Sequence, residues 1–280
     1  MTHLTPPGQY SDIHSKPSQH SEVLLDVSLR QPVRAATVAE LTWIGATGLP
    51  DSLPVVPLLW GDQPVVAYPY AYADLAREVA SAAAVALTLS EPRMTGGGWR
   101  ALTATGRARL IEDPQGEAFR AHLLREEIRK HPPSRTLADS LLLQRENWWF
   151  LPRLIVVLEL GPPMLIEPRD DPNCQVLSVW DGDLLHVDTV RVSDAGTDRL
   201  KITSLAGRPA LDGPAALLGH DFSVPDLERW TPWVTRGTVT GDMLTVTEWP
   251  ERTTLEPNLT LRQRYRRQRD LEKACRANIP

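Results

Sequence analysis

One strand-like stretch occurs twice in this chain, and it restricts the fold more than any other feature. Residues 99–113, WRALTATGRARLIED, alternate in character: Leu102, Ala104, Ala108 and Leu110 fall on one face of an extended chain, and Thr103, Thr105, Arg107 and Arg109 fall on the other. Residues 230–244, WTPWVTRGTVTGDML, repeat the frame of Trp, six residues, then Gly. Trp99 and Gly106 thus correspond to Trp230 and Gly237. What precedes each copy corresponds too. AELTWIGATG is answered by CQVLSVWDGD, SLPVVPLLW by LLHVDTVRV, PVVAYPYA by LKITSLAG, and VALTLSEP by AALLGHDF. The pattern predicts one antiparallel β plan used twice.

Between its third and fourth strand runs the first half carries ADLAREVASAAA, where Asp74 can cap, Leu75 and Val79 are four apart, and the alanines favour helix. The second half has RPALDGP instead, too broken by Pro and Gly to be helical. After Pro114 the stripe Phe119, Leu123, Leu124 and Ile128 predicts a helix, and Leu137, Leu141 and Leu142 predict another beyond the break at HPPS. LPRLIVVLELG then reads as a strand, with Leu154 to Leu158 apolar without alternation and therefore buried on both faces. The fold class expected is α+β, mainly antiparallel β, with two split-barrel-like halves joined by a helical segment. The boundaries read as a flexible arm at 1–33, a barrel with its helical segment at 34–161, a degenerate second half at 162–257 and a basic tail at 258–280.

The 280 residues carry a formal charge of −5, so a general nucleic-acid binder is not expected. The tail LRQRYRRQRDLEKACRANIP is locally basic and reads as a solvated helix whose arginines pair with carboxylates of the acidic body. Cys174 and Cys275 have no metal-like spacing and read as reduced thiols. No run approaches the length of a bilayer span and the first 20 residues lack a signal-peptide core, which together predict a cytoplasmic protein without a membrane partner.

From about Arg34 to Leu160, the order of PVVPLLWGDQPVVAYP, LAREVASAAAVALTLSEP, WRALTATGRARLIEDP and LPRLIVVLEL resembles the flavin-binding split β-barrel family that includes the pyridoxamine phosphate oxidases. In that family two barrels pair and hold FMN in the groove between them. The resemblance therefore implies a flavin-binding protein of redox character, with a small-molecule ligand in the cleft between the halves. It implies a monomer with an internal pseudo-dimer, or a homodimer. The cofactor would touch Pro57, Leu58, Tyr68, Tyr70, Tyr72, Arg77, Trp99 and Arg100. Family members hold the flavin phosphate with a hydroxyl residue, a Lys and an Arg near the start of the helix; here the first two positions fall on Ala73 and Leu75, and only Arg77 remains. A cofactor-free scaffold and a haem or deazaflavin binder are the alternatives.

For haem, His186 and His220 are the candidate axial ligands, each with a structural reading as a hydrogen-bonded histidine. His3, His14 and His20 lie in the arm without metal-like spacing. TGGGW reads as a hairpin turn, and Trp148, Trp149 and Phe150 as a packing plug or a cleft lining. No catalytic acid, base or nucleophile is identified.

Overall fold

A computed structural model of the chain describes residues 28–134, 148–209 and 211–280. The stretches containing His3, His14, His20, Leu137, Leu141 and Leu142 lie outside these residues. The expected class is observed: mostly antiparallel β with few helices. The first sheet contains β1 (Ala39–Ile44), β2 (Pro50–Val55), β3 (Leu58–Trp60), β4 (Gln63–Pro69), β5 (Val85–Leu89), β6 (Leu102–Asp113), β7 (Arg153–Leu160) and β8 (Met164–Leu165). Its order is β2-β1-β5-β6-β7-β4-β3, with β8 on β6. The run expected as one strand at 52–62 is two, broken around Pro57, which has no N–H to give a ladder. Helices α1 (Arg30–Ala35), α2 (Ala73–Ser81) and α3 (Leu124–Lys130) pack around this sheet. Helix α1 lies partly in the stretch read as a flexible arm; Val33 is fully buried, which ties that end of it to the core.

The second sheet is a closed six-stranded barrel of β9 (Cys174–Trp180), β10 (Leu185–Asp194), β11 (Arg199–Ser204), β12 (Gly213–Phe222), β13 (Trp230–Thr240) and β14 (Met243–Glu248). Its pairings reproduce those of the first sheet step by step. β1 pairs β2 and β5, β5 pairs β6, β6 pairs β7 and β7 pairs β4; β9 pairs β10 and β12, β12 pairs β13, β13 pairs β14 and β14 pairs β11. Even the register agrees, since Gly106 faces Val85 and Gly237 faces Ala215.

The shared glycine has a steric cause. A Cβ on Gly106 would lie 2.1 Å from the Glu159 carbonyl oxygen, and one on Gly237 would lie 2.1 Å from that of Thr245. Each glycine lets its long strand cross the neighbouring one too closely for any side chain.

The halves meet through corresponding strands. Glu40, Thr42, Ser52, Thr88 and Thr103 share one face of β1, β2, β5 and β6, and all are buried. Thr103, on the polar face by alternation, is nevertheless buried, because the second half covers this face. Ile44 and Ala86 pack there with Val176, Leu185, Val187 and Leu218. The opposite face, with Leu41, Leu87, Leu89 and Leu102, builds the main core, where each fully buried aliphatic side chain contributes about 1.5–3 kcal/mol.

Helix α4 (Leu261–Asn278) starts at a capping box in which Thr260 and Gln263 satisfy each other's backbone N–H. Cys275 is buried in the first-half core, with Leu271 and Ile279 packed beside it, so the tail docks onto the turn at Tyr70–Tyr72. Arg264 pairs with Glu228 at 2.9 Å, Arg267 with Glu256 at 2.6 Å and Arg276 with Glu272 at 2.8 Å. Both cysteines are free and buried.

Candidate functional site

Two chambers lie end to end where the first half, α4 and the start of β13 converge. The inner one, about 430 Å³, is lined by Val55, Leu58, Val66, Tyr68, Leu75 and Phe150, among others. The outer one, about 750 Å³, is lined by Arg229, Glu256, Arg264, Arg267 and Gln268. Tyr72, His131, Trp230 and Leu271 border both.

Tyr68 comes from β4, where pairing with Leu154 of β7 fixes its backbone. Its side chain is 6% exposed and its hydroxyl has no hydrogen-bond partner among the described residues. Burial pushes the phenol well above its ordinary value, so it stays an O–H donor. A buried donor without an acceptor costs about 1–3 kcal/mol, which a ligand acceptor would offset.

His131 follows α3. Its Nδ1 lies 2.9 Å from Ser134 Oγ, which in turn donates to Glu127 Oε1 at 2.8 Å. Arg153, completely buried, places Nη2 3.3 Å from the same carboxylate oxygen and stacks its guanidinium 4.1 Å from the ring centres of Phe119 and Phe150. Burial holds the His131 ring below its ordinary pKa, with the Arg153 charge adding to this and Glu127 opposing it. The imidazole is therefore neutral at pH 7.

The residues named from the sequence divide. Leu58, Tyr68 and Tyr72 come together at the inner chamber, whereas Tyr70, Arg77, Trp99 and Arg100 do not line either chamber. Pro57 is buried beside Leu58 and its carbonyl accepts from Lys130 Nζ at 2.6 Å. Tyr70 is fully buried, its hydroxyl pushed to about 12 by burial and by Glu112 and Asp113. Trp99 packs against the core, and Arg100 is exposed. Trp149 and Phe150 are buried as a plug, Phe150 also walling the inner chamber, while Trp148 is exposed with Arg276 5.0 Å from its ring.

The start of α2 does not fit an FMN phosphate. Arg77 is half-exposed and pairs with Glu112 at 3.2 Å, on the neighbouring β6, and not with Asp74 or Glu78. Ala73 is buried, Leu75 is apolar, and α4 packs on the turn that leads into the helix. In the outer chamber Arg264 and Arg267 are already paired with carboxylates. Only Arg229, whose Nη1 donates to the Glu256 carbonyl, is a chamber arginine without an ion pair among the described residues.

Of the two histidines weighed as haem ligands, His220 is sealed between the halves. Its Nε2 lies 2.9 Å from Glu40 Oε1 and 2.6 Å from Arg169 Nη2, and its Nδ1 accepts from Trp230 Nε1 at 3.4 Å. Both ring nitrogens are engaged. His186 borders a separate cleft of about 850 Å³ lined by Thr103–Thr105 of β6 and by β10 and β11 of the second barrel, and is bonded to Asp181 through Nε2 at 2.9 Å. Among the described residues no cluster of metal-ligating side chains occurs, and no helix is long and apolar enough to cross a membrane.

His131 carried no functional reading in the sequence, where HPPS registers only as a helix break. The signal was present as helical spacing, since Glu127, His131 and Ser134 are four and then three residues apart.

No family model and no curated protein matches this chain. Among solved structures, a protein of unknown function from Agrobacterium tumefaciens matches with 21% identity over 48% of this chain and 53% of its own, with a TM-score of 0.33. The match thus spans about half the length of that protein. A heme binding protein from Mycobacterium smegmatis matches with 11% identity over 89% of this chain and 96% of its own, also with a TM-score of 0.33.

Proposed function

We propose that this chain binds a small molecule in the cleft between its halves, with an apolar ring system in the inner chamber and its polar end toward Arg229. The observation that carries this is Tyr68, which lines the inner chamber and whose buried hydroxyl has no acceptor among the described residues. Isolated donors of this kind are rare in a settled core. The matching pairing order of the two sheets supports a duplicated barrel with halves at 34–161 and 162–257, so that one chain builds a cleft two copies would otherwise share.

An FMN reading draws no support from α2, which leaves the flavin ring without its usual phosphate anchor. Haem is the second reading, favoured by the neutral His131 imidazole bordering the inner chamber. His131 would hold the iron, and the group would supply redox or gas-binding chemistry.

The test is an ultraviolet–visible spectrum of the freshly purified protein, followed by titration with FMN, deazaflavin and haemin, in wild type and Tyr68→Phe. Loss of the hydroxyl is expected to weaken the ligand about 2- to 10-fold. No chromophore, no binding and no effect of the substitution would leave the cofactor-free scaffold as the better description.

A further inference from the structure

We propose that His131 presents a bare Nε2 lone pair to the occupant of this cleft, which is therefore an apolar ring bearing an acidic O–H or N–H group. The inference rests on the cleft being the binding site and adds the ligand's chemical class.

The proton bookkeeping of the relay fixes the tautomer. Arg153 is buried against the Glu127 carboxylate, which as an anion only accepts. Ser134 has one hydroxyl hydrogen and gives it to Glu127 at 2.8 Å. Its oxygen is then left to accept, so the contact of 2.9 Å with His131 Nδ1 requires the ring proton to be on Nδ1. A neutral ring with its proton there has a bare Nε2. No described group hydrogen-bonds to that atom. Glu127, which also lines the inner chamber, and Arg153 act on the ring electrostatically, and Tyr72, Trp230 and Asp270 line the same chambers.

Histidine is thus an acceptor in this wall and Tyr68 a donor, both bordering the inner chamber. A ring with one donor and one acceptor, such as a phenol, an imide or an N–H heterocycle, satisfies both. A purely acceptor-bearing ring leaves Nε2 unpaired.

Two probes of nearly equal shape separate these cases in the unmodified protein. 4-Nitrophenol has the acidic O–H, and 4-nitroanisole carries a methyl group in its place. With 4-nitrophenol held un-ionised by a pH below its own ionisation, we expect it to bind at least tenfold more tightly, and His131→Phe to abolish that ratio. Independently of any ligand, ¹⁵N NMR of the histidine rings should report Nδ1–H at His131, with Ser134→Ala shifting the population toward Nε2–H. Equal affinity for the two probes, or an Nε2–H tautomer in the wild type, overturns the inference while leaving the cleft as a binding site. Failure of both probes to bind removes the cleft reading itself. A haemin Soret band that depends on His131 puts iron on Nε2 in place of a proton donor and also overturns the inference.

Discussion

The two halves of this molecule share a strand order and a glycine, yet differ in what they bring to the surface where they meet. The first contributes polar side chains: Thr42 and Ser52 bond each other at 2.8 Å, Thr88 and Thr103 at 2.9 Å, and Ser90 donates to Glu40 at 2.8 Å. The second contributes Val176, Val187 and Leu218. By register, Val176 occupies in β9 the place of Glu40 in β1, and His220, within β12, occupies the place of Ser90, which follows β5. The four hydroxyls can be buried against an apolar surface because they are satisfied in pairs within the first half, whereas Glu40 takes Arg169 and His220 from the second. The difference teaches that the halves are unequal: only the first half's face requires covering by specific chemistry, supplied by Arg169 and His220.

Removing that chemistry has the largest expected effect. Arg169 sets Nη2 3.0 Å from Glu40 Oε1 and Nε 2.7 Å from Ser90 Oγ, and all three are buried. Glu40→Ala leaves Arg169 and His220 without their main acceptor and should cost about 3–5 kcal/mol in urea unfolding. The pH dependence follows the same cluster. Burial pushes the Glu40 carboxyl up, but the His220 hydrogen bond and the Arg169 charge prevail and hold it at about 2, against 4.5 ordinarily. His220 is held below its ordinary 6.5 by burial and by Arg169. Both groups bind protons more weakly folded than unfolded, so stability is full above about pH 6.5 and declines as pH falls through the histidine range. It declines again between about 4.5 and 2. Glu40→Ala should flatten that lower limb; an unchanged acid profile would mean that the contact between the halves does not rest on this cluster.

The glycines allow a sharper comparison. Gly106→Ala drives a methyl group into the Glu159 carbonyl between two well-paired strands and should cost about 3 kcal/mol. Gly237→Ala makes the same collision, but a bulge between Arg236 and Gly237 already loosens the ladder, so about 1 kcal/mol is expected. Thermal melts of the two variants measure the difference. Equal losses would make the bulge irrelevant and the two crossings mechanically alike.

The matching strand order was legible because a glycine forced by backbone contact leaves a mark that survives when its neighbours change. The apolar run Leu154 to Leu158 was legible for a similar reason: burial on both faces removes alternation, and all five residues are buried. Short strands were not, and β8 and β14 went unread. Nor does alternation say what covers a polar face, so the burial of Thr103 was not legible. Tyr68 and Tyr72 were placed in the site by resemblance and Tyr70 was not separable from them. Strand parity breaks at Pro69, where the chain turns into a tight helical turn and Tyr70 enters the core. The Arg77 partner lies 35 residues away on another element, beyond any local pattern.

Arg77→Ala carries the smallest expected effect and bears directly on where the first half keeps its chemistry. The Arg77–Glu112 pair is half-exposed on both sides, which limits its contribution to less than about 0.5 kcal/mol. Glu112 and Asp113 place negative charge beside this turn, an unfavourable setting for a phosphate. Affinity for FMN, measured by fluorescence quenching, should therefore stay within about twofold of wild type. A tenfold loss, worth about 1.4 kcal/mol, would mean that FMN displaces Glu112 and seats its phosphate on α2. The first half would then hold its ligand as a lone barrel does, and the second half would serve only to cover its polar face.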